Sequence, residues 1–408
     1  MTSMKKPELL APAGTLEKLQ FAIDYGADAV YLGGPGWGLR AFAGNLSLEE
    51  IAKGVAFAHE RGAKVYITVN IMPHNADLIG LEQYLSDLAA IGVDAFIVSD
   101  PAVLLTAKQV APTVPIHLST QANVVNYRSA QFWAEQGVER VILARELSLA
   151  EIAEVRQRVG AELEVFVHGA MCISYSGRCL LSNYLTGRDA NRGECAQPCR
   201  YRYALVEEKR PGQYFPIEED ERGSYIMNSK DLCLIEHLPQ ILPVGVEGLK
   251  IEGRMKSVHY VATVTKVYRQ ALDCYFADPE SYQFRPEWLQ ELRKASNRSF
   301  TTGFYFGKPM AADHVYQGEL YERSYDFVGI VKDYDTRTQL AMVEQRNNFR
   351  VGEQVEVLQP VGDNLKLEIT ALRDQEGGKL EVARHAQMLV TLPSAHPLAP
   401  GSLLRRLQ

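Results

Sequence analysis

GADAVYLGG, residues 26–34, joins a helix-stopping glycine to an apolar, β-branched run. The glycine suits the left-handed C-cap that ends a helix, and the run after it reads as a strand buried on both faces. The phrase recurs as Gly62 with AKVYITVN, Gly92 with VDAFIVSD, Gly137 with VERVILAR, Gly160 with AELEVFVHG and Gly245 with VEGLKIEG. ELLAPAG at 8–14 and PIHLSTQA at 115–122 bring the strand candidates to eight. Helical patterns such as LEKLQFAIDY and SLEEIAKGVAFAHE lie between them, the second opening on Ser47 and Glu50 as a capping box. Eight strands alternating with helices over about 250 residues predict an α/β fold, a (β/α)8 TIM-like barrel. A doubly wound open sheet is the alternative, and only the count of eight separates the two.

The expected strands end in polar residues: Asn70, Asp100, Gln121 with Asn123, Arg145 with Glu146, His168, and Glu252 with Arg254. Barrel active sites are built on that C-terminal rim. The spacing breaks once, between the seventh strand (163–169) and the eighth (248–252). A large insertion fills the gap, and an enlarged loop at a catalytic rim is usually functional. VHYVATVTKVYRQALDCYF then reads as a closing helix. From about Tyr325 the texture changes to short alternating runs separated by Asp, Asn and Gly turns, which predicts a small all-β C-terminal barrel. The expected division is 1–275 for the barrel with its cysteine-bearing loop at 170–235, 276–322 for a linker or helical connection, and 323–408 for the β domain.

The 408 residues carry a formal net charge of -7, with 46% hydrophobic and 23% charged residues, as ordinary soluble domains do. The start, MTSMKKPELLAPAG, lacks the apolar core of a signal peptide, and no run approaches the ~20 apolar residues a bilayer span needs. The expected location is the cytoplasm, with no membrane partner. The negative balance argues mildly against a general nucleic-acid coat but leaves local basic surfaces open.

Four of the six cysteines, Cys172, Cys179, Cys195 and Cys199, follow the spacing C-x6-C-x15-C-x3-C inside the insertion. In a chain of this kind, gathered thiols point to a metal rather than a disulfide. Four thiolates suit a tetrahedral zinc or an iron–sulfur cluster. The wide first spacing favours the cluster, with zinc and redox-active thiols as alternatives. Cys233 is either a competing fourth ligand or a small buried residue, and Cys274 reads as core.

GWGLRA at 36–41 matches a dinucleotide-binding pattern only formally, because the next helix signal waits until Ser47. Arg40 in that loop is a candidate for meeting an anion. No H-E-x-x-H or G-x-S-x-G occurs. His168 sits beside the cysteines as a candidate for tuning, substrate binding or proton transfer. His117 reads as an interior histidine in a polar patch with Ser119, Gln121 and Asn123. In LKIEGRMKS, Lys250, Glu252, Arg254 and Lys256 place charge along a strand that should be buried. An internal Lys–Glu pair is one explanation, and a cationic clamp for a carboxylate or phosphate is the other.

ELLAPAG, GADAVYLGG, HLSTQANVVN, RVILARELS, EVFVHGAMCISYSGRCLLS, GECAQPCR, YIMNSKDL and LKIEGRMKS together resemble peptidase family U32, the collagenase-like family, and within it the tRNA hydroxylation branch. The resemblance covers residues 5–270 and is densest at 163–182. It implies prephenate-dependent hydroxylation of a tRNA wobble uridine to 5-hydroxyuridine, in an iron–sulfur-dependent enzyme. It also implies a 4Fe-4S cluster on Cys172, Cys179, Cys195 and Cys199, with Cys233 as a possible alternative ligand. Prephenate is the implied co-substrate, tRNA the partner, and a second U32-family subunit a further expected partner. Other members imply hydroxylation of a 23S rRNA base or a ubiquinone precursor, and the family label implies a peptidase. A non-catalytic RNA-binding subunit is the remaining alternative. On this reading His168 and Glu252 are the catalytic, proton-transferring candidates. Arg40, Asn70, His117, Gln121, Asn123, Arg145, Lys250 and Arg254 are the substrate-binding candidates. Arg346, Arg350, Arg384, Arg405 and Arg406 of the β domain are candidates for touching RNA.

Overall fold

The computed structural model describes residues 5–38, 45–171, 181–188, 195–198, 204–206, 214–216, 230–296, 298–307 and 325–407. The repeated phrases become strands β1 (Glu8–Pro12), β2 (Ala29–Gly33), β3 (Lys64–Val69), β4 (Ala95–Val98), β5 (Ile116–Leu118), β6 (Arg140–Ile142) and β7 (Glu162–Ala170). The insertion contributes a hairpin of β8 (Ala204–Val206) and β9 (Tyr214–Pro216), then β10 (Asp231–Cys233), before β11 (Gly248–Ile251). Strands β1 to β7 pair in parallel in sequence order, and β11 pairs in parallel with both β7 and β1. That double pairing closes an eight-stranded (β/α)8 barrel and rules out the open sheet.

Local chemistry agrees with the capping signals. Ser47 Oγ accepts from the Glu50 amide at 3.2 Å, and the Ser47 amide donates to Glu50 Oε2 at 2.9 Å, so the box that starts Leu48–His59 is complete. Gly26, Gly62, Gly92, Gly137 and Gly245 take positive φ, as C-caps require. Gly160 does not, because the preceding helix ends on extended Val159.

Inside the barrel, the half nearer the strand N-termini is charged rather than apolar. Glu164 is fully buried and accepts from Lys250 Nζ at 2.9 Å on one oxygen and from Arg140 at 3.2 Å on the other. Arg140 also donates to Glu8 and Glu162 at 2.7 Å each, and the Tyr66 hydroxyl donates to Glu8 at 2.8 Å. Each buried charge is thus paired, the condition under which such charges are tolerated.

The pairing of β7 with β11 slips by one residue: Lys250 faces Phe166 while Ile251 faces His168, leaving Val167 as the extra residue. Beyond the slip, β7 pairs antiparallel with β10, Ala170 opposite Asp231 and His168 opposite Cys233. Strand β12 (Phe300–Thr301) extends β10 in parallel. Gly169, at φ +107°, passes so close to the end of β11 that a Cβ there would lie 2.4 Å from the Glu252 carbonyl oxygen. Only glycine fits that combination. Part of the expected linker belongs to the barrel body, since the helix Pro286–Ala295 buries Trp288 and Leu292 against the main core.

Residues 325–407 form an antiparallel all-β half-barrel with its own core, including Val343, Phe349, Val357 and Leu404. It attaches to the helices Leu16–Asp24 and Val258–Ala277, where Phe21, Tyr25, Val258 and Ala262 meet Ile330, Leu358 and Leu403. The Tyr25 hydroxyl donates to the Leu358 carbonyl at 2.8 Å, and Lys266 Nζ to that of Gln359 at 2.8 Å. Arg405 is fully buried in this junction, bonded to Glu291 and, at 3.2 Å, to Glu356. Arg346 pairs with Glu17 and Glu344, and Arg406 with Glu353 at 2.9 Å. The expectation that these three arginines face RNA is therefore corrected, because they tie the β domain to the barrel and to itself. Only Arg350 and Arg384 stay exposed.

Arg405→Ala should lower unfolding stability by roughly 1.5–3 kcal/mol, since Glu291 and Glu356 lose their buried partner but keep Lys294 at 2.9 Å. Denaturant unfolding would check this, and a loss under about 1 kcal/mol would refute a structural role for the pair.

Candidate functional site: the cationic mouth of the barrel

Residues at the C-terminal ends of the strands converge on one cavity lined by Tyr31, Thr68, Asn70, Ser119, Gln121, Arg145, Phe166, Lys250, Glu252 and Arg254. Six of the sequence candidates are there: Asn70, Gln121, Arg145, Lys250, Glu252 and Arg254. The lining carries three cations against one carboxylate, so the mouth favours an anion.

Arg254, just past β11, reaches across the mouth. Its guanidinium donates to Thr68 Oγ1 and Asn45 Oδ1, both at 3.1 Å. Gly33 makes the space, since a Cβ there would lie 2.4 Å from Arg254 Nη2. Arg145 lies flat on Phe166, 3.8 Å from the ring centroid, and pairs with Glu252 at 3.4 Å. Stacking and pairing hold both guanidiniums in fixed planes suited to a carboxylate. Lys250 forms the floor, its Nζ 4.3 Å from the Tyr31 ring centroid. Burial holds its ammonium below the ordinary lysine range, against the opposing pull of Glu164. Asn70 Nδ2 donates to Ser119 Oγ at 3.1 Å, and the buried Gln121 Oε1 has no partner among the described residues. An acceptor left this way suits a donor on a bound ligand.

Three sequence candidates are elsewhere. His117 faces the barrel interior near its N-terminal opening, edge-on to Tyr66 at 4.7 Å between ring centroids, and lines that opposite opening with Lys64 and Arg140. Burial, with Arg140 and Lys250 nearby, pushes its pKa well below the usual value. Asn123 takes a left-handed turn (φ 55°), bonds the Gln121 carbonyl and does not line the mouth. His168 is turned outward by the slip at Val167. It is buried among Tyr260, Tyr268 and Phe300, with Nδ1 3.4 Å from the Tyr268 hydroxyl. Burial lowers its pKa to about 4, although Asp231 pulls the other way. The imidazole therefore packs behind the barrel wall and does not line the mouth.

Cys233, opposite His168, is also buried, and burial pushes its thiol up to about 12. A Cys–His nucleophile needs the reverse, a lowered thiol beside a cationic imidazole. Cys233 packs at 7% exposure in the main core, opposite His168. Arg40, Cys172, Cys179 and Cys199 lie outside the described residues. Cys195 is partly exposed, and its Sγ accepts the Gln197 amide at 3.4 Å in a turn pinned by Ala196 N donating to Ser182 Oγ at 3.0 Å. The segment leaves the barrel from the end of β7, at the same rim as the mouth.

Thr68, Ser119, Tyr31 and Phe166 were not singled out as site residues from the sequence. Inward alternation along β2, β3 and β7, and past the end of β5, is the signal that finds them.

A β/α barrel with a cationic mouth and a cysteine-bearing insertion at its rim defines the class. The chain belongs to peptidase family U32: residues 14–314 match that family and 323–405 match its C-terminal domain. It is similar to tRNA hydroxylation protein P1 of Bacillus subtilis (strain 168), 46% identical over 98% of this chain and 95% of the relative. It is also similar to tRNA hydroxylation protein P of Escherichia coli (strain K12), 38% identical over 96% of this chain and 94% of that one. The 23S rRNA 5-hydroxycytidine C2501 synthase of Escherichia coli is 40% identical over 66% of this chain and 40% of its own length.

Two measurements probe this geometry. Gly33→Ala should leave the fold standing, because the displaced atom ends a flexible side chain, but should weaken binding of a dicarboxylate roughly 10–100-fold as Arg254 moves away. Calorimetric titration reads the loss, and unchanged affinity would remove Arg254 from the site. Separately, His168 protonates near 6.5 when unfolded and near 4 when folded, so its stability contribution is whole above pH ~6.5 and lost as pH falls toward 4. His168→Gln should flatten that acid-side loss by about 1.4 kcal/mol per pH unit. Parallel stability curves for the two proteins would contradict a buried neutral His168.

Proposed function

We propose that this protein hydroxylates an RNA base, namely C5 of a tRNA wobble uridine to give 5-hydroxyuridine, with prephenate bound in the barrel mouth. The carrying observation is the pair of braced guanidiniums, Arg145 and Arg254, over a floor lysine in a cavity with one carboxylate. Two fixed guanidiniums suit the two carboxylates of prephenate, and the similarity to proteins named for tRNA hydroxylation supports the substrate class.

Arg254 and Arg145 bind and orient the dicarboxylate, while the Gln121 and Asn70 amides set its rotation. Exchange of the C5 hydrogen for a hydroxyl is a two-electron oxidation of the ring, and its proton balance calls for a base at the mouth. Glu252 is the carboxylate that lines the cavity among the described residues, and Arg145 aims it by pairing at 3.4 Å. Phe166 and Tyr31 exclude water from the cavity floor. We assign a 4Fe-4S cluster to Cys172, Cys179, Cys195 and Cys199, and the Cys195 turn fits such a ligand. When bound, the cluster supplies one-electron redox chemistry at the rim. tRNA is the macromolecular partner.

The test is nucleoside mass spectrometry of tRNA from a bacterial host stripped of its own tRNA hydroxylation proteins and supplied with this chain. The wild type should restore 5-hydroxyuridine. Cys195→Ser should abolish it and lower protein-bound iron and sulfide, and Glu252→Gln should cut it at least ~100-fold with iron retained. Unmodified tRNA with the wild type would overturn the proposal.

A further inference from the structure

We infer that Lys250 captures the ketone of an α-keto acid in the mouth as a covalent imine, an inference that rests on reading the mouth as a dicarboxylate site. Lys250 is the lysine that lines this cavity among the described residues, and it stands at the C-terminal end of a barrel strand, where catalytic groups of such barrels gather. Its amine lies between aromatic faces, 4.3 Å from the Tyr31 centroid and 5.6 Å from that of Phe166. Arg145 and Arg254 stand above as carboxylate anchors, so a keto acid held by both directs its carbonyl toward the floor.

An ion pair alone accounts poorly for this placement. Glu164 already has a second cation, because Arg140 bonds its other oxygen at 3.2 Å while Lys250 takes the first at 2.9 Å. Arg140 therefore keeps the carboxylate compensated when Lys250 gives up its proton. The proton passes to water at the mouth, which leaves the amine as a nucleophile. Burial independently favours the neutral amine.

The step balances without an oxidant or reductant. The neutral amine forms a C–N bond to the ketone carbon, and the carbonyl oxygen leaves as water with the two amine protons. The product is a C=N link that draws electrons from the neighbouring carbons. An imine of this kind fixes the co-substrate and weakens the bonds beside the former ketone.

The experiment uses the full-length protein with its native metal content, incubated with prephenate and, in parallel, with pyruvate as the smallest keto acid. Sodium cyanoborohydride reduces any imine, after which intact mass and peptide mapping locate the adduct. The expected result is near-stoichiometric labelling by prephenate at Lys250, with other lysines at background. Lys250→Arg, which keeps the charge toward Glu164, should retain its melting temperature and lose at least ~10-fold of the label. Prephenate binding by calorimetry with Lys250 unlabelled overturns the imine and leaves the proposed function standing. Absence of prephenate binding overturns both. Equal labelling across surface lysines also overturns the inference.

Discussion

The carboxylate of Glu164, closed off from water in the middle of the barrel, is the constraint around which the interior is arranged. Its burial is tolerable because Arg140 and Lys250, from the different strands β6 and β11, each take one of its oxygens. The backbone is shaped to admit it: a Cβ at Gly248 would lie 2.8 Å from Glu164 Cγ. Removing Arg140, which also holds Glu8 and Glu162, leaves buried carboxylate charge short of a partner, a far larger loss than an exposed pair would cause. The network therefore acts as a partition. Charges toward the N-terminal opening are consumed by one another, whereas those above it face a ligand.

The barrel was legible because a single phrase, glycine followed by an apolar run, repeats once per β/α unit and physics gives it one reading. Most of the mouth was legible too. Asn70, Gln121, Arg145, Glu252 and Arg254 are polar residues at the ends of apolar strands, and the charges of LKIEGRMKS stood out against a buried background. Depth and rotation were not legible. His117 faces inward as alternation predicts, yet lies near the far end of the barrel axis, a coordinate no sequence pattern encodes. His168 shares its parity with the inward Glu164 and Phe166, and one unpaired residue, Val167, reverses it. The internal Lys–Glu pairing and the cationic mouth were weighed as alternatives for Lys250. The structure has the pair, with Glu164 from β7 as the partner, and places the same lysine in the mouth.

The β domain shows how poorly a list of arginines maps onto a surface. Arg405 sits in LLRRL, an outwardly ordinary strand sequence, but the neighbouring helices bring Glu291 and His259 to it. A polar interlock replaces part of the apolar seal between the two bodies. Tyr25 adds to it by donating to the carbonyls of Leu358 and Gly401 at 2.8 and 3.0 Å. Such pairings are directional, so the domain docks in one orientation, which an apolar contact alone would specify less sharply.

The antiparallel pairing of Ala170 with Asp231 has a consequence for how the family can change over time. The cysteine-bearing insertion leaves and re-enters the barrel at one point, as a lasso closed by its own knot. The entropy of closing a loop grows only with the logarithm of its length, so doubling the enclosed chain costs only about 0.6 kcal/mol. The barrel does not register how much chain the lasso holds. Segments can be lengthened, shortened or exchanged inside it while the eight strands keep their register. The rim is in this sense a socket whose contents can change without disturbing the strands that hold it.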